Sequence, residues 1–294
     1  MTLPLTLGPL FDDGLRTSTR PVQLTVVVLC WIAWGCGLVA VLVFHPIGLV
    51  GLRTASPTAL AVAVAVAVRH QSGPPISSVR VALGIGASAL ATIVLLAADT
   101  GHLCVNGPAY PNERRFLLRP PAVMLLGPIP IAAGLVGASV VAGPLLLAAK
   151  VWIAGAIALA FGGAVAFVCA RSLYGFTRRF VVFVPAGFVL HDLAVIREPV
   201  LLRKQIVESI AAASIDTDAL DLTATAPGLT IEVRLREKTE ITRITRRNDP
   251  GDTGSTARFL IVATLPGRLI AEARTRNYTT DYAAVPPPIT TSSV

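Results

Sequence analysis

Four groupings of side chains in this 294-residue sequence could do chemistry. Gly84-Ile-Gly86-Ala-Ser-Ala89 has the loose G-x-G-x-x-A spacing of a dinucleotide loop. Such a loop needs a strand before it, a helix after it and an acidic residue about 20 positions on. Here the glycines lie inside an apolar run, which predicts helix packing instead. Gly251-Asp-Thr-Gly-Ser-Thr256 has the glycines of a phosphate loop but lacks the Gly-Lys pair that reaches the phosphates. His102-Leu-Cys104 follows Asp99, with His45 and His70 at the ends of other apolar runs. A metal site needs three or four converging ligands, so these read as ordinary residues at a membrane boundary. The fourth grouping is Arg171, Arg178 and Arg179, with Tyr174 and Phe176 between them. It could bind anionic lipid headgroups, each basic residue near such a surface contributing about 1 kcal/mol. It could also set membrane topology, and one cluster can do both.

None of these groupings sets a nucleophile beside a base. No enzymatic activity, cofactor or metal is therefore expected. Cys30, Cys36, Cys104 and Cys169 have no metal-type spacing and read as small apolar fillers without a disulfide framework. Asn277-Tyr-Thr279 fits a glycosylation sequon, but a cytoplasmic segment would never meet the enzyme.

The elements that must position these residues follow from solvent. Mean hydropathy is +0.69, 53% of residues are hydrophobic and only 14% are charged. A soluble domain usually carries about 25% charged residues. A chain this poor in charge cannot cover a globule with a hydrated surface, so part of it must face lipid. Residues 1–170 hold nine of the 25 Lys/Arg and four of the 17 Asp/Glu, so the composition changes near Arg171. The net charge of +8 comes largely from residues flanking apolar runs, which points to bilayer orientation and not to nucleic acid.

Residues 1–20 read as a polar tail. The stretch 21–170 reads as a transmembrane helical domain with spans at 22–44, 47–68, 79–98, 122–149 and 151–170. A helix needs about 20 apolar residues to cross the hydrocarbon core. Val22–Phe44 is longer than a signal-peptide core and lacks a clean cleavage site, so it is expected to remain as an anchor. Trp31 and Trp34 are expected to pack between helices. The stretch 47–68 spans only if Arg53 snorkels past the interruption that ends at Pro57. Five spans place the N-terminus outside; four place it inside.

Small residues recur at four-residue spacing in the last two runs. Gly134, Ala138 and Ala142 form one stripe, and Ala154, Ala158, Gly162 and Ala166 the other. Such stripes let helix backbones approach closely. With only Lys150 between the runs, a tight hairpin with the stripes face to face is expected. The basic loops around Arg114, Arg115, Arg119 and around Arg171, Arg178, Arg179 put the C-terminal part in the cytoplasm by the positive-inside rule.

Residues 176–277 read as a small, mainly-β soluble domain, followed by a disordered tail at 278–294. Phe180–Val184 and Phe188–His191 flank the turn residues Pro185-Ala186-Gly187 and predict a hairpin. Leu201–Ile210 fits a helix or a bent strand. Ala219–Thr225 and Leu229–Leu235 flank Ala226-Pro227-Gly228 and predict a second hairpin. The stretch 248–256 reads as a polar loop. Phe259–Thr264 predicts a strand, and Thr264 could cap a helix from Pro266 to Arg276.

Arg179–Asp192, Ile206–Ile215, the pair around Pro227-Gly228 and the helix after Pro266 together resemble a bacterial pleckstrin-homology-like barrel. The whole layout resembles multi-pass membrane proteins of high-GC actinobacteria. The resemblance implies binding or assembly and carries over no site residues. Two functions fit the layout. One is a membrane-anchored scaffold or regulatory protein of the cell membrane, with the lipid bilayer and a cytoplasmic or membrane protein as partners and no nucleic acid. The other is a small transporter or channel built on the kinked helices 47–68 and 122–149.

Overall fold

The computed structural model describes residues 3–16, 18–70, 77–244 and 252–280. The chain forms two compact units: Met1–Pro108 with Val123–Thr177, and Ala109–Ala122 with Arg178–Val294.

The first unit is helical: α1 (Leu3–Gly14), α2 (Arg20–Val43), α3 (Pro46–His70), α4 (Ser78–Leu96), α5 (Ala98–Asn106), α6 (Ala122–Leu126), α7 (Pro128–Ala148) and α8 (Trp152–Thr177). Among the described residues, five segments are long and apolar enough to cross a membrane: Arg20–Val43, Pro46–Val68, Ser78–Leu96, Ala122–Ala148 and Trp152–Thr177. Helix α3 runs unbroken through Arg53 and Pro57, and the alternating Ala-Val stretch within it is helical. The Arg53 guanidinium donates to the carbonyls of Leu95 (3.4 Å) and Ala97 (3.3 Å), where α4 ends. The Leu95 carbonyl lies in the last turn of α4, at the negative end of its dipole, and the Ala97 carbonyl also accepts the Gly101 N–H at 3.5 Å. Two buried hydroxyls of α4 are satisfied within the helix: Ser88 Oγ donates to the Gly84 carbonyl and Thr92 Oγ1 to that of Ser88, both at 2.8 Å.

Several expectations change here. The segment read as a polar tail contains α1. Its Leu7, Leu10 and Phe11 sit at helical spacing and pack with Ala63 of α3. Gly84 of the dinucleotide-like motif faces this helix, and a Cβ there would stand 2.7 Å from Leu10 Cδ2. Trp31 faces outward, 57% exposed, edge-to-face with Trp34 at 5.6 Å. The last helix continues past residue 170 to Thr177, so Arg171 belongs to α8.

The α7–α8 pair is a tight hairpin. Lys150 adopts the left-handed conformation (φ 65°), and the Val151 and Lys150 N–H groups return to the carbonyls of Leu146 and Leu147. This is a Schellman stop, which closes a helix with a single left-handed residue. The seam is rotated from the expected stripe on α7. Gly134, Ala138 and Ala142 are exposed, and a Cβ at Gly134 would meet nothing within 4 Å. Gly143 lies against Leu159, and Gly155 against Leu147. On α8 the expected stripe holds in part: Gly162 faces Ser139, and Ala158 and Ala166 are half-buried, but Ala154 is exposed. Spacing alone fixes the period of a stripe and leaves its direction open.

The second unit is β-rich. Its strands are β1 (Arg114–Leu117), β2 (Phe180–Val184), β3 (Gly187–His191), β4 (Val200–Arg203), β5 (Val207–Ala212), β6 (Leu220–Asp221), β7 (Ile231–Arg243) and β8 (Asp252–Ile261), followed by helix α9 (Pro266–Thr275). One antiparallel sheet has the order β1-β2-β3-β4, and the other β5-β7-β8-β6. Among the described residues the strands form two sheets and no closed barrel. The sheets meet at isolated bridges, Leu118 with Ala263 and Ile196 with Arg243, not through a continuous ladder. The two-residue turn Pro185-Ala186 joins β2 to β3 as expected. The second expected hairpin does not form: β6 pairs in parallel with β8, and the long hairpin is β7–β8. Leu201–Ile210 resolves into β4 and β5 with a turn between.

The finding with most consequence is β1. The segment between the third and fourth candidate spans is a strand of the β unit, with Leu117 opposite Phe180 and Arg114 opposite Phe183. On its far side the Arg119 N–H donates to the Val262 carbonyl and the Thr264 N–H to that of Leu117, both at 2.8 Å. Thr264 Oγ1 also donates to the Leu117 carbonyl, so it does not cap α9. Phe116 and Leu118 enter one core with Phe183, Phe188, Val233 and Phe259. Residues Asn277 and Tyr278 are likewise drawn in. Asn277, from the sequon, is left-handed (φ 60°), and the Tyr278 N–H returns to the Ala273 carbonyl. This second Schellman stop sends Tyr278 into the core, inside the stretch read as tail. Residues 248–251 of the expected polar loop and 281–294 of the expected tail lie outside the described residues; 252–256 belong to β8.

Two outcomes follow. Phe116→Ala should destabilise the β unit by about 3–5 kcal/mol, read as faster proteolysis at exposed Arg236-Glu237-Lys238 in the detergent-solubilised full chain. A variant as protease-resistant as the parent contradicts the shared core. Gly155→Leu should cost about 1–3 kcal/mol by overpacking and Gly134→Leu almost nothing, followed by thermal unfolding through Trp152 fluorescence. Equal effects contradict the rotated seam.

Candidate functional site

Of the three arginines read as one cluster, the structure leaves two exposed and buries one. Arg171 is exposed on α8, in the helical unit, and Arg178 is exposed in the β unit. Arg179 is buried. Its Nε and Nη2 donate to Asp192 Oδ1 and Oδ2, each at 2.8 Å, with the side chains 4% and 2% exposed. The parallel two-bond fork matches guanidinium to carboxylate and leaves no free face for a headgroup. Burial is tolerated because each partner neutralises the other.

This ion pair lies where β1, β2 and β3 end together. Arg179 Nη1 reaches the Arg119 carbonyl at 3.4 Å, and the Leu118 N–H donates to the Arg179 carbonyl at 2.9 Å. Asp192 Oδ1 also accepts the Ala194 N–H at 3.2 Å, fixing the turn after β3. Arg119 in turn donates to the Pro227 carbonyl at 3.2 Å. The strand entering Ala122 and the strand leaving Thr177 are thus tied together by side chains as well as by the ladder. Nothing in the spacing of Arg179 and Asp192 announced the pair. The available signal was that both bound a strand pair whose register follows from the Pro185-Ala186 turn.

Beside the pair, the outer face of the β1–β4 sheet is unusually apolar. Residues that alternate away from the core include Leu201, which is exposed, Phe180 and Val189, which are half-buried, and Val182, which is buried. Phe180 stacks on His191 at 4.7 Å and 6°, and the Arg115 guanidinium stands 5.6 Å from the Phe180 ring. His191 Nδ1 contacts the Arg178 carbonyl at 2.8 Å; a carbonyl only accepts, so Nδ1 carries the proton. Arg115 pairs with Glu113 at 3.2 Å, and Arg203 is exposed at the far edge. An antiparallel sheet normally turns a polar face outward, so this face is suited to apolar contact.

An open groove of about 500 Å³ lies elsewhere on the β unit, lined by Pro111, Asn112, Arg114, Pro185, Glu272 and Arg276. Arg276 is committed to Glu272 (2.7 Å), the Asn112 carbonyl (3.0 Å) and the Phe183 ring (5.7 Å). The groove lining holds no nucleophile beside a base. His102 lies in α5 one turn from Asn106, and Cys104 of the same helix is buried. Among the described residues no three His, Cys, Asp or Glu side chains group closely enough to hold a metal. Burial pushes the Cys104 thiol up from its ordinary value, with Arg53 opposing. Burial also raises the Tyr278 phenol, with Arg276 opposing.

Compared with protein-family models, curated proteins and solved structures, the chain matches none.

The geometry of the buried pair sets a double-mutant outcome. Arg179→Leu and Asp192→Leu should each destabilise the β unit by about 3–5 kcal/mol, because either leaves a buried charge without its partner. The double replacement should cost clearly less than either alone, in denaturant unfolding of the full chain in detergent. Additive losses contradict direct pairing.

Proposed function

We propose that this chain is a membrane-anchored scaffold or regulatory binding protein, with the β unit on the cytoplasmic face of the cell membrane. The observation that carries the reading is β1. A binding-type unit that borrows a strand from between two candidate spans cannot separate from its anchor. Five candidate spans supply that anchor. Basic residues on the segments that enter and leave the α7–α8 hairpin, among them Arg114, Arg119 and Arg178, support the cytoplasmic orientation. Two sheets followed by a C-terminal helix are compatible with the pleckstrin-homology-like resemblance of the sequence, which supports binding without naming a ligand.

The transporter reading loses part of its motivation. Interrupted helices line substrate sites in transporters, but α3 is continuous and Arg53 engages the end of α4. The chain does break at Gly127, between α6 and α7.

The test compares the full chain with one ending at Thr177, both in membranes. Photocrosslinking from positions on the β-unit surface should give defined protein or lipid adducts in the full chain. Neither chain should carry solute across proteoliposomes. Solute flux by the shortened chain, with no adducts from the full one, would overturn the proposal.

A further inference from the structure

We infer that the outer face of the β1–β4 sheet docks on an anionic phospholipid surface, a deepening that rests on the membrane-anchor reading above.

Three observations converge. The first is the apolar face itself. Val182, Val189 and Leu201 form one row across β2, β3 and β4, grading from buried (Val182) through half-buried (Val189) to exposed (Leu201), and the half-buried Phe180 and His191 form the next. Leu201 is 51% exposed, which is a cost in water unless something apolar covers it.

The second is the tether. Two residues, Arg178 and Arg179, lie between Thr177, the end of the last candidate span, and Phe180. That is at most about 10 Å of chain. Four residues lie between Leu117 and Ala122, at most about 18 Å of chain from one to the other. The headgroup layer on each side of the hydrocarbon core is about 5–8 Å thick. With the spans inserted, the row containing Leu117, Phe180 and His191 starts within reach of that layer.

The third is charge. Arg115 stands over the Phe180 ring, and Arg203 follows Leu201 on the same face. Arg178 is exposed at the start of β2. Glu113, paired with Arg115, is the acidic residue that offsets them. An apolar centre with a basic border fits an anionic leaflet, whose surface potential attracts each exposed basic residue. A second copy of the chain would bring the same arginines against one another. Loss of Arg179 to the buried pair moves the basic contribution from the expected cluster onto this face.

The experiment uses the full chain, with native cysteines replaced by serine, reconstituted in bilayers. An environment-sensitive fluorophore is placed at Leu201→Cys, at Ile215→Cys as a fully exposed control in the other sheet's loop, and at Leu42→Cys on α2. Nitroxide-labelled lipid is the quencher. Leu201→Cys should be quenched in equal parts phosphatidylcholine and phosphatidylglycerol, but not in phosphatidylcholine alone, and Ile215→Cys in neither. Arg203→Glu should lower the docked population about fivefold. Quenching at position 42 without quenching at 201 overturns the docking and leaves the anchor standing. Quenching at 201 that ignores phosphatidylglycerol, or energy transfer between 201 labels that persists on dilution in lipid, also overturns it. No quenching at position 42 overturns the anchor reading as well.

Discussion

A strand must satisfy its backbone N–H and C=O groups on both edges when it is buried, and β1 can do so only between β2 and residues 262–264. That requirement governs the layout of the chain. Because β1 precedes α6 and β2 follows α8, the α7–α8 hairpin is inserted between two adjacent strands of one sheet. Both ends of the hairpin must then lie on one side of any membrane it crosses, and the pair of helices must cross twice. The covalent order of the chain alternates between units, but the hydrogen-bonded order does not.

Packing follows from the same constraint. Phe116 and Leu118 complete a core otherwise supplied from beyond residue 180, and Thr264 and Arg119 secure the strand from the other edge. The Arg179–Asp192 pair fixes the point where the connectors diverge. In an apolar interior such a pair contributes little net stability, but it penalises any arrangement that parts the two groups. It therefore specifies register more than it adds free energy.

The helices long enough to cross a membrane were legible because lipid imposes a length and a polarity on each one, and apolar runs of that length are hard to mistake. The β2–β3 hairpin was legible because Pro185 and Gly187 dictate a turn. What escaped were contacts whose partners are far apart in the chain. β1 is four residues with two arginines, too short and too charged to announce a buried strand. The rotation of the α7 stripe depends on where Lys150 turns left-handed, which no spacing encodes. Asn277 and Thr264 were read for a chemical motif and a cap. Their roles are a left-handed helix stop and a hydrogen bond to β1, both set by tertiary context. Of the candidate site, the apolar face could be glimpsed in Phe180–Val184 and Phe188–His191, which are apolar at nearly every position. The burial of Arg179 could not.

The central claim is that residues 114–118 are a paired strand and not an exposed loop between helices. Amide hydrogen exchange of the full chain in detergent tests it most directly, with peptides covering 114–118 compared with those covering 180–184. The account predicts matched slow exchange in both, because the two strands open together. Exchange of 114–118 at the rate of an unstructured loop, while 180–184 stays protected, would contradict it.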